Sequence, residues 1–179
     1  LNIWVYGRVD TVRSSLLKKL KKIGVNWICL GIESANEKVR SSVNKAIKSD
    51  IKEVVRNIQA HDINVMGNYM FGLPEDNAAT MEETLKLAID VNCEFINFYT
   101  VMAYPGSKLY NDASKKENSL PENWEGFSQH SYETKPLPTN YLSAKDVLKF
   151  RDEAFIRYFT NDRYKDSVRN KFGNKVEMY

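Results

Sequence analysis

Residues 27–45 decide the fold; they read Trp-Ile-Cys-Leu-Gly-Ile-Glu-Ser-Ala-Asn-Glu-Lys-Val-Arg-Ser-Ser-Val-Asn-Lys. The stretch begins with an apolar run that is too short for a helix and is typical of a buried strand. The polar pair Glu33-Ser34 follows where the strand ends, and Asn36 is a favourable N-cap for a helix. The stretch therefore predicts a strand, a polar corner and a helix, and parallel α/β proteins bind their ligands at such corners.

Three other segments repeat this order of strand, polar corner and helix. Their predicted strands lie at residues 2–6, 63–70 and 95–100, and a turn-rich or polar segment follows each of them. Thr80, with Glu83 three positions later, has the spacing of a capping box for the helix after the third strand. Alternating strands and helices predict a parallel sheet whose polar corners all lie along one edge.

The fold class predicted from these units is α/β, with parallel βα repeats that form either a small open sheet or part of a TIM-like barrel. The four units fill residues 1–113. Residues 115–140 are polar, rich in aromatic residues and without a period, and Ser143 with Asp146 has the spacing of a capping box for a helix that ends near Phe159. A last helix follows, so residues 114–179 are predicted to be a loop and helical extension packed on the sheet.

Composition excludes several classes of protein. The formal net charge of the 179 residues is only +3, which is too small to indicate a nucleic-acid partner. No apolar stretch is long enough for a membrane span, and no segment is typical of a signal peptide. Cys29 and Cys93 stand far apart without the spacing of metal ligands, which predicts two reduced thiols in a cytoplasmic protein and no metal site.

The strongest functional signal comes from residues that the topology brings to one edge. Glu33, Asn68 and residues 101–103 follow or end neighbouring strands, and a carboxylate with an amide suits the two hydroxyls of a ribose. The apolar loop at Met70 suits an adenine, and Lys45 adds a positive charge. These residues predict a nucleoside ligand that carries an anionic group. Each also has a purely structural interpretation, such as a salt bridge for Glu33 or an internally bonded amide for Asn68.

Three motifs together resemble the radical S-adenosylmethionine (SAM) superfamily. They are Gly31-Ile32-Glu33-Ser34 with Val43-Asn44-Lys45, Asn68-x-Met70-x-Gly72-x-x-Glu75, and Tyr104-Pro105-Gly106-Ser107-x-Leu109-Tyr110. The resemblance covers residues 2–110 and corresponds to strands three to six of the superfamily's partial barrel. It is nearest to the branch of methylthiotransferases, oxygen-independent coproporphyrinogen oxidase and cobalamin-dependent enzymes, and residues 136–155 resemble proteins that carry a cobalamin-binding domain.

The resemblance implies a SAM site at the carboxyl edge of the sheet. Its predicted cofactor-binding residues are Glu33, Ser34, Lys45, Asn68, Met70, Gly72, Val101 and Met102. In this assignment Glu33 and Asn68 reach the ribose or methionine part, Lys45 pairs with the methionine carboxylate and Met70 packs on adenine. Gly72 allows close approach of the backbone, while Val101 and Met102 offer backbone groups to the adenine edge. Glu75 is expected to brace the loop, and the role of Arg8, which could instead pair with Asp10, stays open.

One departure from the superfamily is large. Its 4Fe-4S cluster needs three thiolates in a Cys-x3-Cys-x2-Cys motif, and neither this motif nor the glycine-rich motif that binds the methionine amine is present. Both would precede Leu1, so the chain is expected to be part of a longer enzyme. That enzyme would use SAM and a 4Fe-4S cluster to form a 5′-deoxyadenosyl radical that abstracts hydrogen from a substrate, and in the cobalamin branch it would also bind cobalamin. The chain alone is expected to be inactive.

Two other functions fit the same residues. The chain could be a non-catalytic α/β module that binds a nucleotide or a protein partner, or a member of the superfamily that has lost its cluster. If the chain is instead half of a barrel, the strand at residues 2–6 is predicted to form an exposed sheet edge, through which the isolated chain is expected to dimerise. The substrate cannot be named from the sequence, because relatives read it with freely varying loops.

Overall fold

The computed structural model describes residues 1–43, 47, 49–115 and 120–174. Lys45 therefore lies outside the described residues. The strands are β1 (Ile3–Arg8), β2 (Val25–Glu33), β3 (Asn64–Phe71) and β4 (Phe95–Thr100). The α-helices are α1 (Ser14–Lys22), α2 (Glu37–Ser41), α3 (Ile51–Gln59), α4 (Ala78–Val91), α5 (Lys108–Ala113), α6 (Ala144–Phe159) and α7 (Asp162–Phe172), and a 3-10 helix spans Trp124–Phe127.

The four strands form one parallel sheet in the order β1-β2-β3-β4. Each strand is followed by at least one helix, so the predicted α/β fold of parallel βα repeats is confirmed. The register aligns Arg8 with Gly31, Gly31 with Asn68 and Asn68 with Asn97. This alignment makes a row of four residues across the sheet, which starts at the carboxyl end of β1 and reaches the middle of β4.

The two faces of the sheet differ in what covers them. Because side chains alternate along a strand, β3 directs Val65, Gly67, Tyr69 and Phe71 to one face, where helices α1, α3, α4 and α6 bury them in the main core. The other face is largely open: Trp4 is 48% exposed and Tyr6 is 87% exposed. We call it the open face. It is where a ligand can reach the sheet.

The segment after β4 packs on the same core. Tyr158 of α6 is fully buried and donates a hydrogen bond to the Cys93 carbonyl at 2.8 Å, while Phe155 packs edge-on against Phe98. α7 crosses the opposite, amino end of the sheet, where Lys171 pairs with Glu94. The division of the chain at residue 113 stays a prediction. Within the described residues, no helix has both the length and the hydropathy of a bilayer span.

Local capping signals in the sequence were partly correct. Asn36 caps α2, and the capping box of Ser143 and Asp146 begins α6 as predicted. The predicted box of Thr80 with Glu83 is wrong, because Thr80 is the third residue of a box that begins one turn earlier at Asn77. α4 therefore begins one turn earlier than the predicted box implies. Thr84, on this helix, hydrogen-bonds to the corner that follows β2.

The outer edge of β4 is occupied at its last residue. The side-chain amide of Gln129 accepts from the Thr100 backbone N–H at 3.1 Å and donates to the Thr100 carbonyl at 2.8 Å. These are the two groups that a further parallel strand would use. Gln129 thus takes the place of a strand at the carboxyl end of β4.

Candidate functional site

Glu33 ends β2 in an unusual backbone conformation. Its φ angle is +68°, in the left-handed region that residues other than glycine rarely adopt, and the pairing of β2 with β3 slips by one residue between Gly31 and Glu33. The slip keeps Ile32 in the core and turns Glu33 back over the open face, where its Oε1 lies 3.2 Å from the position of a Cβ on Gly31. Strain of this kind is typical of functional sites.

An amide pair lies beside this carboxylate. Asn68 is aligned with Gly31, and its Oδ1 accepts a hydrogen bond of 3.0 Å from Nδ2 of Asn97. Because the Asn68 oxygen is engaged, its own amide NH2 group is left as a donor, and no described residue accepts from it. Asn97 was missed in the sequence analysis. It could have been found from the sequence, because it is a polar residue within the mostly apolar strand at residues 95–100.

Arg8 occupies the other end of the row. It forms a two-pronged pair with Asp10 at 3.0 and 2.9 Å, which confirms the pairing considered from the sequence. The hydrogen bond and charge of Asp10, with a smaller contribution from Glu33, raise the pKa of Arg8. Arg8, Glu33 and Ile47 line a cavity of about 50 Å³, which has room for water but not for a nucleoside. A nucleoside would therefore have to lie along the open face.

An apolar cluster adjoins the row at the carboxyl edge. Val101 is buried with Val39 and Leu73, and the partly buried Met70 packs against them. The Val101 backbone is engaged within the protein, since its N–H donates to Phe71 and its carbonyl accepts from Leu137. Met102 is only 5% exposed, and no described residue hydrogen-bonds to its backbone. Met102, rather than Val101, has backbone groups left for a ligand.

Ser34 lies behind the corner. It is fully buried, and its hydroxyl contacts the Thr84 hydroxyl at 3.1 Å and accepts from the Asn36 N–H at 3.2 Å. These bonds engage the hydroxyl within the protein. The structure therefore gives Ser34 a role in shaping the corner and does not bring its side chain together with Glu33 and Asn68.

Gly72 also serves the loop itself. Its φ angle is +86°, and a Cβ there would lie 2.7 Å from Cγ1 of Val147 in α6. The close approach that requires glycine at position 72 is therefore between this loop and α6. The brace of the loop is Asp76, which accepts from the Gly72 and Leu73 N–H groups at 3.0 Å, whereas Glu75, the residue expected from the resemblance, bonds to Asn140.

The two cysteines do not fit an iron-sulfur cluster. Cys29 lies on the open face, where its Sγ is 3.8 Å from Sδ of Met66. Cys93 belongs to the core on the helical face, and its Sγ is 3.2 Å from the position of a Cβ on Gly67. Burial raises the pKa of both thiols. Two thiols on opposite faces of a sheet cannot supply the three thiolates that a cluster needs.

Comparison with known proteins agrees with this architecture. Residues 7–88 match the family described as the Radical SAM superfamily. Over 153 residues the chain is 22% identical to an uncharacterized methyltransferase of Pyrococcus horikoshii, an alignment that covers 85% of this chain and 33% of that protein. The chain spans about a third of the length of the first curated relatives it matches.

Two solved structures share the fold. Coproporphyrinogen III oxidase (HemN) of Escherichia coli, a radical SAM enzyme, superposes with a TM-score of 0.62 at 15% identity over 89% of this chain and 32% of that one. The radical SAM methyltransferase TsrM of Kitasatospora setae, with cobalamin and a 4Fe-4S cluster bound, gives 0.59 at 15% identity over 97% and 32%. These likenesses show that the chain has the fold of radical SAM enzymes, and over residues 7–88 its sequence is similar to the Radical SAM superfamily.

Proposed function

We propose that the protein carrying this chain is a radical SAM enzyme and that the open face at the carboxyl edge of the sheet binds SAM. The observation that carries the proposal is the arrangement of Glu33 and Asn68. A carboxylate on a strained backbone stands beside an amide whose orientation Asn97 fixes. Both groups face the open side of the sheet.

These two groups complement a ribose. A carboxylate only accepts hydrogen bonds, so Glu33 would accept from a ribose hydroxyl. The Asn68 NH2 group would donate to a ribose oxygen, because its carbonyl oxygen is already engaged by Asn97. One acceptor and one donor side by side suit neighbouring hydroxyls, each of which both donates and accepts.

The adjoining apolar cluster would hold the base. Met70 supplies a polarizable thioether against the face of an adenine, and the Met102 backbone supplies a donor and an acceptor for its edge. Ser34 and Gly72 would act by shaping the corner and the loop. Lys45 remains a predicted partner of the methionine carboxylate.

The reaction type is a further part of the proposal. Relatives include a methyltransferase and an oxidase, so we propose an Fe-S oxidoreductase or methyltransferase of the cytoplasm, with cobalamin as a second cofactor on the precedent of TsrM. When a cluster is bound, the superfamily uses it to cleave SAM reductively. Cluster ligands would come from outside residues 1–179, because Cys29 and Cys93 do not fit them.

The test uses anaerobically purified full-length protein with iron and sulfide added. We expect a reducible cluster that converts SAM to 5′-deoxyadenosine. Glu33→Gln and Asn68→Ala should each lower that rate by roughly 10- to 100-fold, the value of a hydrogen bond to a charged or fixed partner. Glu53→Gln, an exposed carboxylate on α3, is the matched control and should leave the rate unchanged.

Two results would contradict the proposal in different ways. A protein that binds no iron, yet still binds SAM or adenosine with a dependence on Glu33, would be the non-catalytic nucleotide-binding module. A protein that cleaves SAM with both variants fully active would be a radical SAM enzyme whose SAM site lies elsewhere.

A further inference from the structure

Arg40 is a buried cation in the short helix α2. It is only 7% exposed, and one guanidinium nitrogen, Nη1, donates to the carbonyls of both Ser34 and Ala35, the latter at 2.8 Å. No carboxylate in the described ranges forms an ion pair with it. Its Nε is buried and has no hydrogen-bond partner in the part of the chain that the structure describes, and burial lowers the pKa of the guanidinium.

The backbone of the corner depends on side chains for its hydrogen bonds. The Ser34 and Ala35 carbonyls accept from Arg40, the Ala35 N–H donates to the Thr84 hydroxyl at 3.0 Å, and the Asn36 N–H donates to the Ser34 hydroxyl. Neither the sheet nor a helix supplies these partners. Among the described residues, Arg40 alone satisfies the two carbonyls, and buried carbonyls without a partner are costly.

The position of this corner explains why it needs such support. Ser34 directly follows Glu33, whose left-handed backbone turns the carboxylate over the open face. A strained residue keeps its conformation only when its surroundings over-determine it. Burying a guanidinium that forms no ion pair is itself unfavourable, and the charge of nearby Glu37 offsets only part of that cost.

We propose that Arg40 is a positioning residue: by holding the Ser34 and Ala35 carbonyls it fixes the direction of the Glu33 carboxylate toward the bound nucleoside. Arg40 does not touch the ligand in this arrangement. The inference rests on the proposed SAM site and adds to it a residue that the motifs of the resemblance do not include.

A double-mutant cycle tests the coupling. The Kd for SAM is measured by equilibrium dialysis on the full-length protein and its Glu33→Gln, Arg40→Met and double variants. Each single change should weaken binding by roughly tenfold. The double variant should bind no more weakly than Glu33→Gln alone, because Arg40 acts through the Glu33 carboxylate and has no effect once that carboxylate is gone. Arg157→Met, which removes a surface arginine paired with Glu82, is the control and should leave the Kd unchanged.

Hydrogen exchange supplies a readout that needs no ligand. Arg40→Met should speed exchange of the Ala35 and Asn36 amides while the amides of α4 from residue 85 to residue 91 keep their rates. Should Arg40→Met fail to fold, Arg40→Lys replaces it in both experiments, since lysine keeps the charge but offers a single nitrogen on a flexible stem. Arg40→Lys is then expected to weaken SAM binding by a smaller factor, again without adding to Glu33→Gln.

The outcomes separate this inference from the proposed function. If Glu33→Gln weakens SAM binding but the Arg40 variant does not, or if their losses multiply, the positioning role is overturned and the SAM site stands. Uniformly faster exchange along the chain would also overturn it, because it would show only a loss of global stability. If Glu33→Gln itself leaves the Kd unchanged, the SAM site is overturned and the positioning role with it.

Discussion

Gly72→Ala should lower the free energy of unfolding by about 3 kcal/mol, the sum expected for overpacking a core and for a side chain at positive φ. The added Cβ would lie 2.7 Å from Cγ1 of Val147, and the φ angle of +86° disfavours any side chain. Val147 is fully buried in α6 and cannot swing aside. Denaturant unfolding of the variant and the wild type measures the difference.

Gly106 offers a matched control for the clash. It has the same φ of +86°, but a Cβ there would have no heavy atom within 4 Å. Gly106→Ala should therefore cost only about 1 kcal/mol, from the backbone alone. Adding Val147→Ala to Gly72→Ala should be less damaging than the sum of the two single changes. Equal losses for the two glycine variants would show that contact with α6 does not constrain the loop.

Asp76→Ala should destabilise the protein by a similar amount, about 3 kcal/mol, because it leaves several donors without an acceptor. The Asp76 carboxylate is fully buried and accepts from two backbone N–H groups and from the Thr80 hydroxyl at 2.8 Å. Asp76→Asn is the control: its carbonyl oxygen can still accept from the loop, and the Thr80 hydroxyl can turn to the Asn77 carbonyl. Its loss in a denaturant titration should be smaller.

The same carboxyl group makes stability depend on pH. Burial raises the pKa of Asp76, against the opposing effect of its hydrogen bonds. The folded state then holds the proton more firmly than the unfolded state, so this group's contribution to stability is largest below the ordinary carboxyl pKa of about 3.9 and declines as pH rises through the raised value. Asp76→Asn should remove that decline. Parallel stability curves for the two proteins would contradict the assignment.

Sequence reasoning succeeded where the signal is local. The apolar runs and their polar corners predicted four parallel strands, and Ser143 with Asp146 correctly marked the start of α6. It failed for α4 because Asn77–Thr80 and Thr80–Glu83 fit the same spacing rule, and only the backbone selects between them. Local patterns thus define elements better than they define the ends of those elements.

The candidate site was predictable only in part, since much of it depends on pairs that are distant in sequence. Glu33 and Asn68 could be named, but the strained backbone of one and the orientation of the other depend on a slip in the sheet and on Asn97. The need for glycine at position 72 arises from Val147, and no pattern within one segment links the two. The sequence analysis did not single out Arg40 at all.

The side-chain amide of Gln129 makes the two edges of the sheet, β1 and β4, unequal as places where a further strand could pair. With the outward groups of Thr100 already bonded, the carboxyl end of β4 offers a further strand fewer partners than the outer edge of β1. This asymmetry favours β1 as the edge to which a further strand would add. Gln129→Ala would free the Thr100 N–H and carbonyl and so make the two edges of the sheet more alike.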